Sequence, residues 1–282
     1  MNIKVAVAYH KQSKLLIHES LLPIHVGKAL SSVDLGIAGD DVGDNISKKN
    51  PVYCELTALY WLWKNVDADY KGLFHYRRCF SVEPSHKRMV IKQKMQQTIN
   101  KFLIPINLKT EAAISILYKC NSEDEFEDKV NRFCKQMPKL LRKANLLVPY
   151  PITFLSSEVI DHFSKQMGQY YLMLLDEIVK KYYPQLYHYY EMAMHGHVLY
   201  FGNMSVMDNN TFNEYCSVLF DILKIHEEEV VKRNYIKDVY SEGAYSRISG
   251  YLGEILTSTF ILYCKDSRIV KDQPVCFLEI KG

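Results

Sequence analysis

The chain lacks most of the short signatures by which catalytic machinery is recognised. None of its seven cysteines forms a CxxC pair, and no two lie closer than twelve residues, so the usual spacing of a zinc site is excluded. Their odd count and apolar surroundings read as reduced core residues of a cytoplasmic protein. There is no G-x-x-x-x-G-K-[ST], no G-x-G-x-x-G and no G-x-S-x-G, which removes the common nucleotide loops and the serine elbow. No apolar run approaches the roughly 18 residues that a spanning helix needs. The opening stretch MNIKVAVAYHKQ has no basic region followed by an apolar segment and a cleavage site, so it reads as a strand rather than a signal peptide. The expected location is the cytoplasm, with any membrane contact peripheral and at the inner face.

Glycine is modest at 12 residues and tyrosine high at 21. Hydrophobic residues make up 48% and charged residues 24%, the composition of an ordinary globular domain with a sizeable core. A net charge of +3 falls well short of a nucleic-acid-binding profile. It suits an anionic small ligand or an anionic membrane surface.

Residues 3–9 read as a first strand and 22–27 as a second. Residues 31–49 form the most turn-rich stretch, with Asp40, Asp41, Asp44, Asn45 and Ser47. Asn50 reads as an N-cap and Pro51 as the first residue of a helix over 51–65, whose Tyr53, Leu56, Tyr60 and Trp63 recur at helical spacing. A strand over 72–78, GLFHYRR, follows. This order implies an α/β unit with a mainly parallel sheet, and ligands of such sheets bind beyond the carboxyl ends of the strands. Further along, the pattern predicts a basic stretch over 86–101, a strand at 112–118 and an acidic helix from Ser122. It then predicts a short strand at 145–151, a helix at 156–182, a strand at 198–207, a helix from 209, a helix over 243–263 and a closing strand in PVCFLEI.

The candidate chemistry gathers at strand ends. Arg77 and Arg78 offer planar forks that match phosphate oxygens; alternation along a strand puts them on opposite faces, and the competing reading is that both pair with core carboxylates. His75, two residues before Arg77, would share its face; it is either a ligand or a hydrogen-bonded core residue, and Tyr76 lies between them. His10 and Lys11 sit at the end of the first strand. Asp40 and Asp41 would hold a ribose or a divalent metal, or form ordinary turns. Glu55 lies in the first turns of helix 51–65. Gly202 and Asn203 follow an aromatic strand and would contact an acceptor sugar. Glu254 lies two turns after Arg247 on the last helix, either as a catalytic base or in an internal ion pair. His195 and His197 lack further ligands at metal spacing.

GDNISKKNPVYCELTALYWLWKN, GLFHYRRCF, GNMSVM and RISGYLGE closely resemble, in order, a bacterial family of capsular and exopolysaccharide glycosyltransferases, the DUF4422 family. The resemblance covers most of the chain. It implies a GT-A-like α/β fold in a single domain over 1–282: a nucleotide-sugar-binding part to about residue 120 and a helical acceptor region after it. It further implies transfer of a hexose, galactose or galactofuranose, from a UDP-sugar to a glycan or lipid-linked acceptor. His10, Lys11, Asp40, Asp41, Asn45 and Ser47, with the run from His75 to Arg78, would contact the donor. Gly202, Asn203 and Arg247 would contact substrate, with Glu254 or Glu55 as base. Many GT-A enzymes end the strand at 72–78 in Asp-x-Asp, which holds a metal; here HYRR takes that place. Reliance on Mn or Mg and metal-independence both stay open. Cys79 replaces a tyrosine usual in the family, and Asn145 an aspartate. The alternative is a non-catalytic nucleotide-sugar or glycan binding module.

Overall fold

The computed structural model describes residues 1–82, 113–114, 117–154, 157–235 and 246–279, with 91, 95 and 98. Its centre is a ten-stranded sheet. Strand β1 (Ile3–Tyr9) is apolar on both faces, and every side chain from Val5 to Tyr9 is buried, as expected of a strand covered on two sides. It runs parallel to β2 (Leu21–His25) on one side and to β4 (Tyr70–His75) on the other, and β3 (Ala38–Gly39) pairs parallel with β2. Beyond β4 lies β11 (Ser205–Asp208), antiparallel to β4 and to β8 (Leu146–Pro149), and β12 (Val270–Gln273) pairs parallel with β8. Along this path the sheet is mostly parallel, with β11 reversed inside it.

A side branch carries the arginines. Strand β5 (Arg78–Phe80) folds back antiparallel on β4 and pairs with β13 (Val275–Leu278), which runs parallel to β7 (Leu117–Cys120). A small second sheet joins β6 (Ala113–Ile114), β9 (Ile152–Phe154) and β10 (Val198–Leu199). The helices are α1 (Asn50–Tyr53), α2 (Leu56–Asn65), α3 (Glu123–Leu141), α4 (Val159–Met167), α5 (Gln169–Tyr182), α6 (Pro184–Met194), α7 (Asn209–Lys232) and α8 (Ile248–Lys265). Helices α2 and α7 pack on β4, α3 packs on β5, β8 and β13, and α8 packs on α1, α6 and α7. Ser122 caps α3 by accepting from the Glu125 N–H at 3.2 Å, and three acidic residues in its first turn favour the dipole. No described helix is long and apolar enough to cross a membrane.

Several expected elements are divided in the structure. The strand expected at 72–78 ends at His75, and Tyr76 and Arg77 form the turn of a hairpin. Arg77 and Arg78 are therefore not successive residues of one strand on opposite faces. The helix expected at 51–65 breaks at Cys54, with φ 51° and ψ −131°. Asn50 does not cap it; its amide donates instead to the Cys54 carbonyl at 2.8 Å, which also accepts from the Thr57 N–H and hydroxyl at 3.3 and 3.1 Å. The helix expected at 156–182 divides at Gly168, and the strand expected at 198–207 divides at Gly202–Asn203. The basic stretch at 86–101 lies almost wholly outside the described residues, as do 112, 115–116, 155–156, 243–245 and 280.

Candidate active site

The carboxyl ends of β1 and β4 lie side by side, with Ala8 opposite His75. This register sets His10 beside His75, their rings 6.0 Å apart, with the Tyr76 ring 5.2 Å from His10. A cleft of 260 Å³ opens here, lined by His10 and His75 from the sheet, Pro51, Cys54 and Glu55 from the α1–α2 break, and Arg247 from the start of α8.

The arginines at and beside the cleft are free of ion pairs among the described residues. The arginine ion pairs among the described residues belong to Arg132, Arg233 and Arg268; Arg77, Arg78 and Arg247 make none. Arg77 lies against the Tyr76 and Phe277 rings, and Arg78 against Phe277. The buried Arg77 Nε and Tyr76 hydroxyl have no hydrogen-bond partner. Buried polar atoms are normally satisfied, so such orphans call for an explanation such as an incoming ligand. The Arg77 N–H donates to His75 Nδ1 at 3.3 Å, which leaves the His75 proton on Nε2. Burial, then Arg78, His10, Arg77 and Arg247, hold the His75 pKa down to about 3, so this imidazole is neutral. Burial, then Lys11, Arg77 and Arg247, also lower His10.

Two carboxylates face this positive group. The Gly202 N–H donates to Glu254 Oε1 at 2.9 Å. Gly202 has φ 76°, and a Cβ built there would lie 3.8 Å from Arg78 Nη1, so the arginine reaches the same spot. Glu254 is partly buried by surface area, but its carboxyl is closely enclosed. Burial first and then the Glu55 charge push its pKa up to about 7, against the opposing pull of Gly202, Arg78 and Arg247.

Glu55 is held from behind. The Asn203 amide donates to Glu55 Oε1 at 2.9 Å and to the Gly250 carbonyl at 3.2 Å, and its oxygen accepts from Thr257 at 3.2 Å. Thr257 in turn bonds to the Tyr215 hydroxyl at 2.7 Å. Asn203 is completely buried, so its position corrects the expectation that it touches an acceptor sugar. A Cβ on Gly253 would lie 2.8 Å from Leu56 Cδ1 and 3.0 Å from Asn203 Oδ1; the bare backbone lets α8 approach closely enough to bring Glu254 near Glu55. Cys54, Asn203 and Arg247 are three of the four described non-glycine residues with positive φ. Backbone strain of this kind concentrates at functional sites.

The remaining candidates lie elsewhere or are engaged. Asp40 is fully buried and accepts from the Gly27 and Lys28 N–H groups at 3.0 and 3.1 Å and from the Ser47 hydroxyl at 2.5 Å. Asn45 closes an Asx turn, donating to the Gly43 carbonyl and accepting from the Ser47 N–H. Asp41 and Lys11 are exposed. His195 bonds to Glu158, and His197 to the Ser157 carbonyl, so the two do not form a metal pair. Asn145 ties β8 to β11 and β12 through Asp208 and the Ile269 N–H, both at 3.0 Å. The Asn203–Thr257–Tyr215 relay is not evident from sequence spacing, because it joins three elements.

The profile of the DUF4422 family, a domain of unknown function, matches residues 4–265. The chain belongs to this family. A solved structure, the apo form of the bifunctional glycosyltransferase WbbM, matches with a TM-score of 0.79 and 26% identity over 99% of this chain and 46% of that one. The chain thus spans just under half the length of WbbM. No curated protein sequence matches it. The mostly parallel sheet flanked by helices is a GT-A-like glycosyltransferase fold.

Proposed function

We propose that the chain is a glycosyltransferase that moves a hexose, galactose or galactofuranose, from a UDP-sugar to a growing capsular, exopolysaccharide or lipid-linked glycan. The observation that carries this reading is the gathering of arginines free of ion pairs at one place: Arg78 and Arg247 act on the enclosed Glu254 carboxyl, Arg77 and Arg78 on His75, and His75, Glu55 and Arg247 line the cleft beside them. Arg77 and Arg78 present forks to the diphosphate, and the His75 Nε2–H supplies a further donor. Fixed positive charge where the leaving group gains negative charge is the largest catalytic contribution a rigid site can offer. Glu254 takes the proton of the acceptor hydroxyl as its oxygen bonds to the anomeric carbon; the bond from that carbon to the diphosphate breaks, and UDP departs. Attack opposite the leaving group inverts the anomeric centre.

The donor set at the arginine turn does not suit a divalent cation. It consists of two guanidiniums and a neutral imidazole, and Asp40, expected to hold a metal, is occupied by three internal donors. The test is a UDP-release assay with a panel of UDP-sugars, with and without EDTA. Arg77→Ala and Arg78→Ala should each lower turnover by about a hundredfold or more. Full loss of activity in EDTA with Arg77→Ala near normal overturns the reading.

A further inference from the structure

A second cavity lies between α4, α5 and α6, with a volume of 400 Å³ against 260 Å³ for the arginine cleft. That is within the range of about 300–1,000 Å³ typical of small-molecule sites. Its chemistry is the reverse of the arginine cleft: no lysine or arginine lines it, and Asp161, Asp176 and Glu177 do.

Each of these carboxylates uses one oxygen within the protein. Asp161 Oδ2 accepts from the Glu158 N–H at 2.9 Å, Asp176 Oδ1 from the Tyr187 hydroxyl at 3.1 Å, and Glu177 Oε2 from Arg233 at 2.7 Å. The second oxygen of each has no hydrogen bond among the described residues. Tyr190 supplies an independent observation. It lines the cavity, is only 3% exposed, and its hydroxyl has no partner among the described residues. Burial, then Asp176, keep that hydroxyl protonated. Beside it Leu172 and Met194 are buried, while Met173 stands 62% exposed among the lining residues.

An apolar floor with the Tyr190 and Ser164 hydroxyls, surrounded by acceptors with open lone pairs, matches the two surfaces of a sugar ring: C–H groups on one side and outward hydroxyls around it. A phosphate or a uronate would meet two carboxylates without an ion pair, Asp161 and Asp176, while the Glu177 charge is balanced by Arg233. We infer that this cavity is a subsite for a neutral saccharide, a sugar residue of the acceptor glycan. Its hydroxyls donate to the open oxygens of Asp161, Asp176 and Glu177 and accept from Tyr190. The identity of the glycan as acceptor rests on the function proposed above; the site itself rests on its own geometry.

The experiment uses the full chain with ¹³C-labelled methionine methyl groups, because Met173 and Met194 report from inside the cavity. Lactose, maltose and cellobiose at millimolar concentration are the probes, with glucuronate, UDP and a lysine–leucine peptide alongside. At least one neutral disaccharide should shift the Met173 and Met194 signals, while glucuronate and UDP leave them in place. Tyr190→Phe should weaken that binding about fivefold, and the exposed variant Glu177→Gln, which cannot disturb the core, about threefold. Signals unmoved by all three disaccharides, or moved by the peptide alone, overturn the inference. UDP-sugar turnover without saccharide shifts sinks this inference and spares the proposed function; saccharide shifts without turnover on any UDP-sugar do the opposite.

Discussion

Asn203 holds Glu55 from a residue with no exposed surface: its amide donates across 2.9 Å while its own backbone sits at φ 53°. The bond fixes one carboxylate of the cleft through a residue that substrate cannot reach. Asn203→Ala frees Glu55 and leaves the Gly250 carbonyl and the Thr257 hydroxyl each short of a partner. The expected cost is about 1–3 kcal/mol of stability, read from urea unfolding, together with a fall in turnover. Asn203→Asp should be worse, because an acid then faces an acid. Turnover unchanged in both variants refutes the clamp.

The pH profile follows from the two glutamates. As a base, Glu254 works when deprotonated, so kcat/KM should rise with pH and inflect near 7. The Glu55 charge helps to raise that pKa, so Glu55→Gln should move the inflection to lower pH, with Arg78, Arg247 and the Gly202 N–H still drawing it down. An inflection that stays in place in Glu55→Gln contradicts the pairing.

Gly253→Ala tests the close approach of α8. The new methyl group would lie 2.8 Å from Leu56 Cδ1, at the end of a side chain with no exposure, and 3.0 Å from Asn203 Oδ1. Overpacking of this kind costs about 1–3 kcal/mol. The thermal midpoint should drop, with turnover falling further as Glu254 is displaced. Gly250→Ala, whose methyl group would meet Cys54 Sγ at 3.2 Å, should cost less. The reverse order of damage argues against this account.

Acid should weaken the fold through His226. It is fully buried on α7, with Nε2 against the Tyr171 carbonyl at 3.1 Å. Burial lowers its pKa from 6.5 to about 4. The unfolded chain takes up the proton first, so stability is complete above pH 6.5 and falls as pH drops towards 4, by about 3 kcal/mol at most. His226→Gln should flatten that slope in urea midpoints taken from pH 7 to pH 4. An unchanged slope removes His226 as the cause.

The parallel core was legible in the sequence because β1, α2 and β4 each carry a strong local pattern. The division at Gly168 also has a local signal, a glycine at φ 84°. The arginine turn was not legible. Tyr76 and Arg77 carry none of the residues that favour a tight turn, and the hairpin exists because β5 finds β13 far along the chain. The break at Cys54 was hidden for a similar reason: a non-glycine residue at positive φ is held there by Asn50 and by the closeness of Gly250. At the site, residue types pointed to Arg77, Arg78 and Glu254, but not to Asn203 as the residue behind Glu55, because that contact spans 148 positions.

The hairpin that carries the arginines is completed by a strand whose Cys276 meets Cys79 across 197 positions of sequence. During synthesis, Arg77 and Arg78 emerge early, with β5 paired only to β4 until residues 275–278 leave the ribosome. A partly translated chain therefore holds its arginines on one side only, and the second side of the hairpin arrives 197 positions later.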